Sequence, residues 1–360
     1  MDSLIYVVTG LFVVATLTPL SKHSHWLIRG LDFPRVQLAC IGALLILLQV
    51  MFFKLSSPQA WAAIALSVIC LAGQLWWILP YSKFWKKEVQ DSTNTDKEKQ
   101  LSILTSNVLM TNKDAHKLIA LAKKYQPDVL VTLESNLWWE QQLSCLEEDM
   151  PNTIKCPLDN LYGMHVYSRL PLHKKEISFL VEEDIPSMHA LLELPTGDKI
   201  RVHFLHPAPP SPTENPESAE RDAELVIVAK SVADSEQPVI VTGDLNDVAW
   251  SRTTRLFRQL SGLLDPRVGR GMFNTFHADF ALLRWPLDHL FHSSHFTTRS
   301  IQRLPSIGSD HFPFFTRLTF NPTNKSTQSG LRADENEKAF AATVASEKNV
   351  SKTDVPNPGE

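Results

Sequence analysis

The chain has 360 residues, 44% of them hydrophobic and 21% charged, with a formal net charge of −4. That size leaves room for a large core. Positions 101–320 carry 21 Lys/Arg against 27 Asp/Glu, which argues against a sequence-independent grip on nucleic acid, and the four cysteines lack any zinc-site spacing, with Cys145 and Cys156 either paired or free.

Composition divides the chain into an apolar region (1–85), a polar linker (86–100), a globular region (101–320) and a polar tail (321–360) expected to be disordered. The first contains three nearly charge-free runs, at about 4–20, 36–53 and 60–81. Each is long enough to cross a hydrocarbon layer of roughly 30 Å as a helix, so three transmembrane helices and a lipid-bilayer partner are expected. Lys22, Arg29 and Arg35 follow run one, and Lys83, Lys86 and Lys87 follow run three. By the positive-inside rule these segments, and with them the large domain, face the cytoplasm of a multi-pass inner-membrane protein.

Beyond the linker, residues 101–109 read as a strand, 113–125 as a helix stopped by Gln126-Pro127, and 128–133 as a buried strand ending at Glu134. Strand patterns recur at 163–168, 201–205, 238–242, 289–291 and 312–320, with an amphipathic helix at 217–233. The alternation predicts an α/β fold of two packed sheets with helices outside. Between Arg252 and Arg303 stand eight arginines and three acids, either a basic rim for phosphates or arginines scattered over helix and loops.

Polar residues gather where the apolar strands end: Asn107, Glu134, His206, Asp244 with Asn246, Asp288, and Asp310 with His311. Strand ends are where a rigid scaffold presents reactive groups. Carboxylates and carboxamides suit Mg²⁺ or Mn²⁺, and histidines suit proton transfer or phosphate oxygens. Taken singly, each residue has an ordinary role as a cap, turn former or surface group; their joint occurrence is the signal.

The series Ser106-Asn107, Leu133-Glu134-Ser135, Ser168-Arg169-Leu170-Pro171, His206-Pro207, Gly243-Asp244-Leu245-Asn246, Asp288-His289-Leu290-Phe291 and Gly308-Ser309-Asp310-His311 resembles the endonuclease/exonuclease/phosphatase (DNase I-like) superfamily, in particular its bacterial membrane-anchored branch. The resemblance covers residues 101 to about 320. It implies a four-layer α/β sandwich, two mixed sheets flanked by helices, and hydrolysis of a phosphate mono- or diester, lipid-linked or small, with nucleic acid as the alternative substrate. It also implies roles: Glu134, Asn107 and Asp310 toward Mg²⁺ or Mn²⁺; Asp244 toward the attacking water; Asn246 toward a phosphate oxygen; His311, oriented by Asp288, and His206 toward the phosphoryl group. Two positions depart from the pattern. Leu133 replaces a common Gln, and Gly163-Met-His165-Val replaces a strand carrying Asn, for which His165 is either a substitute or a packed strand residue.

Overall fold

The computed structural model describes residues 2–233, 235–323 and 327–357. The chain opens with α1 (Asp2–Leu17), the short α2 (Trp26–Arg29), α3 (Arg35–Phe52) and α4 (Pro58–Ile78). Counting the turns that extend α1 and α4, three segments of 19, 18 and 24 residues are long and apolar enough to cross a membrane. Their outer faces expose Leu4, Leu11, Leu44, Leu66 and Ile69. Inside, polar side chains tie the helices together: Gln49 Nε2 donates to Thr9 Oγ1 (2.8 Å) and Ser67 Oγ (2.9 Å), and Gln74 Nε2 donates to Thr16 Oγ1 (3.0 Å). Between apolar helices such bonds supply the specificity that apolar contact alone does not.

Among the described residues, the rest of the chain contributes eleven strands. The first sheet holds β1 (Gln100–Asn107), β2 (Val129–Leu133), β3 (Asn152–Cys156), β4 (Met164–Ser168), β10 (Phe296–Arg303) and β11 (Phe314–Phe320), in the order β10-β11-β1-β2-β4-β3. The second holds β5 (Leu172–Ser178), β6 (Ser187–Glu193), β7 (Lys199–Leu205), β8 (Val239–Asp244) and β9 (Asp288–His292), in sequence order. Strand alternation sends Ile103, Val131 and Val166 inward, where they meet Ala190, Val202 and Ile240 of the second sheet. Leu104, Leu130 and Tyr167 point outward onto α5 (Ala115–Tyr125) and α6 (Leu137–Leu143). On the other side, Val239 and Val241 pack with α7 (Ala219–Val232), α8 (Arg252–Ser261) and α9 (Glu335–Glu347). The expected four-layer α/β sandwich is therefore present.

β1 pairs in parallel with β2, and β7 with β8, so their carboxyl ends lie together within each sheet. The apolar helices dock beside loops that follow β7 and β8. Trp26 N donates to Pro216 O (2.9 Å) and Ser218 N to Ser24 O (2.9 Å). Trp250 Nε1 donates to Asp32 O (2.9 Å), and Tyr81 Oη to Ala249 O (2.6 Å).

Two sequence readings are revised and two open alternatives are decided. The tail is not featureless: α9 starts at a capping box between Asp334 and Glu337 and buries Ala341 and Ala345 against the domain. The linker is laid along the domain, with Val89 fully buried and Ser92 N donating to Thr298 O (2.8 Å). The arginines between 252 and 303 do not form one rim, because Arg258 pairs with Glu88, Arg267 with Asp265 and Arg270 with Asp91. Cys145 and Cys156 are both free.

Candidate active site

Five of the eight sequence-predicted site residues form one chain of contacts at these strand ends. Asn107 Nδ2 donates to Glu134 Oε1 (2.7 Å) and faces Asp244 Oδ2 (3.3 Å). Asp244 Oδ2 lies 3.5 Å from His311 Nε2, and His311 Nδ1 lies 2.9 Å from Asp288 Oδ2. All but Glu134 are buried. Local backbone explains the placement. Gly243 adopts φ +151°, and a Cβ there would lie 1.9 Å from Leu205 O, so only glycine lets β8 pass β7 at this point. Glu134 (φ 57°) and Asn246 (φ 50°) occupy the left-handed region unusual for residues with a Cβ, a strain that concentrates where side-chain direction matters.

The other three residues sit around this chain. Asn246 N donates to Asp244 Oδ1 (2.9 Å), while its Nδ2 donates to Pro207 O (2.9 Å) and so holds the loop carrying His206. One amide hydrogen of Asn246 is thus committed within the protein. His206 is buried beneath the Tyr162 ring (5.4 Å), and its Nδ1 has no protein partner among the described residues. Asp310 accepts from Ser309 Oγ (3.2 Å), and its carbonyl accepts from Ala278 N (2.6 Å). His165 is not a substitute at the site. It follows inward-facing Met164 on β4, pairs across from Thr132, and its Nε2 lies 4.0 Å from Glu140 of the helical layer.

Charge distribution explains the titration of these groups. Burial alone would lower the His311 pKa, but Asp244 and Asp288 on either side outweigh it and push the imidazole up to about 10, an imidazolium at neutral pH. His206 goes the other way: burial, with His311 adding to it and Asp244 opposing, lowers it to about 4, so it is neutral. Burial raises Glu134 to about 7, with Asp310 and Asp244 adding to the rise and the Asn107 hydrogen bond opposing it.

Asp244, Asp288 and His311 can bring one ligand atom each within 4.8 Å of one another, the geometry of a small metal site. His311 already uses Nδ1 on Asp288 and carries a proton on the side facing Asp244, so in this state the trio is an ion-paired relay. Glu134 and Asp310 add carboxylate oxygens of the kind a hard divalent cation takes, and burial holds Glu134 above the usual carboxylate range. Asn107 turns its nitrogen toward Glu134 and its Oδ1 toward Leu109 N (3.1 Å), so it orients the carboxylate in this arrangement.

Several supporting residues carried no sequence signal. Arg221 Nη1 donates to Asn246 O (2.8 Å). Thr275 Oγ1 accepts from Asp288 N (3.2 Å), and Ser309 Oγ, which accepts from His311 N (3.0 Å), lies 2.9 Å from Asn107 O. Of these, only Ser309 stood within a motif.

No curated protein matches the chain. Solved structures resemble it at the level of fold. A D. rerio TDP2 complexed with single strand DNA product is 18% identical over 62% of this chain and 100% of that one, with a TM-score of 0.51. The human Nocturnin catalytic domain with bound sulfate is 16% identical over 63% and 97%, also at 0.51. An endonuclease/exonuclease/phosphatase from Beutenbergia cavernae is 15% identical over 62% and 72%, at 0.50. The family model described as Endonuclease/Exonuclease/phosphatase family matches residues 104–311, from β1 to the histidine of the last site motif. Members are generally dependent on a divalent metal, in keeping with the carboxylates collected here. The chain belongs to the endonuclease/exonuclease/phosphatase family and is a phosphoric ester hydrolase.

Proposed function

We propose that this chain is a membrane-anchored, Mg²⁺- or Mn²⁺-dependent phosphoesterase that hydrolyses a lipid-linked or small phosphate mono- or diester. The observation that carries the reading is the unbroken contact chain from Glu134 through Asn107, Asp244 and His311 to Asp288, at the end of the domain where the three apolar helices dock. In the anchored protein, residues 1–85 are the membrane region and 101–320 the catalytic domain. The basic segments at Lys22–Arg35 and Lys83–Lys87 favour a cytoplasmic position for that domain, at the inner membrane.

Glu134 and Asp310 would hold the cation, steered by Asn107. When bound, a divalent cation supplies positive charge against the phosphoryl oxygens and the developing negative charge. Asp244 is placed to orient a water and take its proton as the water oxygen attacks phosphorus. The ester P–O bond opposite then breaks with its electron pair on the leaving oxygen, which takes a proton from solvent and departs as the alcohol, while Asp244 returns the proton it took from water to solvent. His311, held as an imidazolium by Asp288, donates toward a phosphoryl oxygen, as does neutral His206 through one ring nitrogen. Asn246 serves chiefly to fix Asp244 and the His206 loop, and its second amide hydrogen would serve a phosphate oxygen.

A nuclease with the same chemistry is the second reading, favoured by the likeness to a TDP2 solved with a DNA product. Against it stand the acid excess of positions 101–320 and the pairing of Arg258, Arg267 and Arg270 within the protein. A substrate panel with the full chain in detergent separates the two: phosphatidic acid, a soluble aryl phosphodiester and single-stranded DNA, each at low and moderate salt. The first reading predicts turnover of the lipid or soluble ester with weak salt dependence. Preferred turnover of DNA that falls steeply with salt would replace it with the second.

A further inference from the structure

One surface feature is not used by this chemistry. Residues 276–285 leave the site as a tight hairpin: Phe276 N donates to Trp285 O (3.0 Å) and His277 N to Leu283 O (3.0 Å). Its base is built into the site. Ala278 N donates to Asp310 O (2.6 Å), and the Phe276 ring lies 4.9 Å from His311. Its tip is apolar and open to solvent, with Phe280 57%, Leu282 84% and Leu283 48% exposed. A soluble surface rarely presents three such side chains together in four residues.

The tip is also tied to the apolar helices. Gln37, in the first turn of α3, donates from Nε2 to Leu282 O (2.7 Å), and Phe33, just before α3, meets Trp285 edge to face at 5.5 Å. If α3 crosses a bilayer, its first turn lies at the boundary between headgroups and hydrocarbon, and Leu282 lies at the same depth. Arg284 and Arg303 stand over the Phe312 ring (5.0 and 4.4 Å) beside the hairpin, a pair of cations suited to lipid phosphates.

We propose that Phe280, Leu282 and Leu283 are seated in the interfacial layer of the membrane, so that the site opens against the bilayer and takes its substrate, a phosphorylated amphiphile, from that surface. The inference rests on the reading of α1, α3 and α4 as membrane-spanning. It makes the hairpin a positioning element: its tip holds the lipid surface while its base holds Asp310 and His311.

The test uses the full chain with Cys40, Cys70, Cys145 and Cys156 replaced by serine or alanine, carrying Leu282→Cys labelled with an environment-sensitive dye. It is reconstituted in phosphatidylcholine/phosphatidylglycerol vesicles, with Glu176→Cys on edge strand β5 as the aqueous reference. Alkaline extraction first establishes whether the chain is embedded. An embedded chain whose dye at 282 is quenched by spin-labelled lipid and shielded from iodide supports the inference. An embedded chain whose dye at 282 is as open to iodide as that at 176 overturns it and leaves the anchored reading intact. Shielding from both quenchers places a protein, such as a second copy of this chain, on the patch and also overturns it. Release by alkali overturns both the inference and the reading beneath it. In a parallel arm, Leu282→Asp is expected to keep wild-type turnover of a soluble aryl phosphodiester and to lose tenfold or more on phosphatidic acid in vesicles. Unchanged turnover on the vesicles would count against the inference.

Discussion

Two buried charge networks lie within a few residues of each other, and they are built on opposite rules. In the one that clamps the linker to the domain, Arg267 meets Asp265 through two contacts (3.0 and 2.9 Å), and Arg258 grips both oxygens of Glu88 (2.6 Å each), whose Oε2 also accepts from Asp265 N (2.9 Å). Two cations face two anions there. In the site network Glu134, Asp244, Asp288 and Asp310 gather around the single imidazolium of His311. A matched network supports the scaffold, whereas one left with surplus negative charge has the make-up expected of a site that takes up a cation. Breaking the first should cost stability and leave turnover intact; breaking the second should do the reverse.

The largest contrast is expected for Glu134→Gln. Turnover should fall on the order of 10³-fold, while the melting temperature holds or rises, because a half-buried carboxylate without a matching cation is removed. Loss of folding in this variant would show that the site network is structural. Glu88→Ala is the mirror image. Leaving the Arg258 guanidinium buried and unpaired should cost roughly 3–5 kcal/mol in denaturant unfolding, with kcat per folded molecule unchanged. A wild-type midpoint would remove the distinction drawn here.

Asp288→Asn sharpens the comparison inside the site. Burial pulls the His311 pKa down, and Asp288 is one of the two carboxylates that hold it up near 10. Removing that charge lets the proton leave at lower pH, so the alkaline limb of the rate profile should move toward neutrality. An unmoved limb would take His311 out of the reaction. The smallest effect is a pH slope in stability from Glu224 on α7, where burial, aided by Glu182, raises the carboxyl to about 8. Between its ordinary pKa of 4.5 and about 8 the folded chain holds a proton that the unfolded chain has released. Stability from this group is therefore complete below pH 4.5 and lost as pH rises through 8, by about 1.4 kcal/mol per pH unit at most. Glu224→Gln should flatten that slope, and an unaltered slope would assign it to another group.

The strands that could be read from sequence are those buried on both faces. β1, β2 and β8 each carry an apolar stretch closed by a polar residue, so their ends are visible, and with them Asn107, Glu134 and Asp244. β5 was not, because Leu172–Ser178 runs along a sheet edge with Lys174, Lys175 and Glu176 exposed and its register interrupted. β10, also an edge strand, hides its pattern in the same way. α9 escaped because its buried face is made largely of alanines, whose burial follows from the neighbouring α7 and not from any apolar stripe. Within the site, the acids and histidines were legible from chemistry, whereas Tyr162 over His206 and Thr275 under Asp288 act through contacts that exist only after folding. The wiring also had to be seen: Asn246 bonds to Pro207 O, and Asn107 offers nitrogen to Glu134.

The central claim is that the surplus negative charge at Glu134 and its neighbours exists to run cation-dependent phosphoester hydrolysis. It is tested most directly by following alcohol and phosphate-ester release from an aryl phosphodiester by the full chain in detergent, with and without a chelator, beside Glu134→Gln. Hydrolysis should stop on chelation, return with Mg²⁺ or Mn²⁺, and be nearly absent in the variant. Hydrolysis that survives chelation and persists at wild-type rate in Glu134→Gln would contradict it.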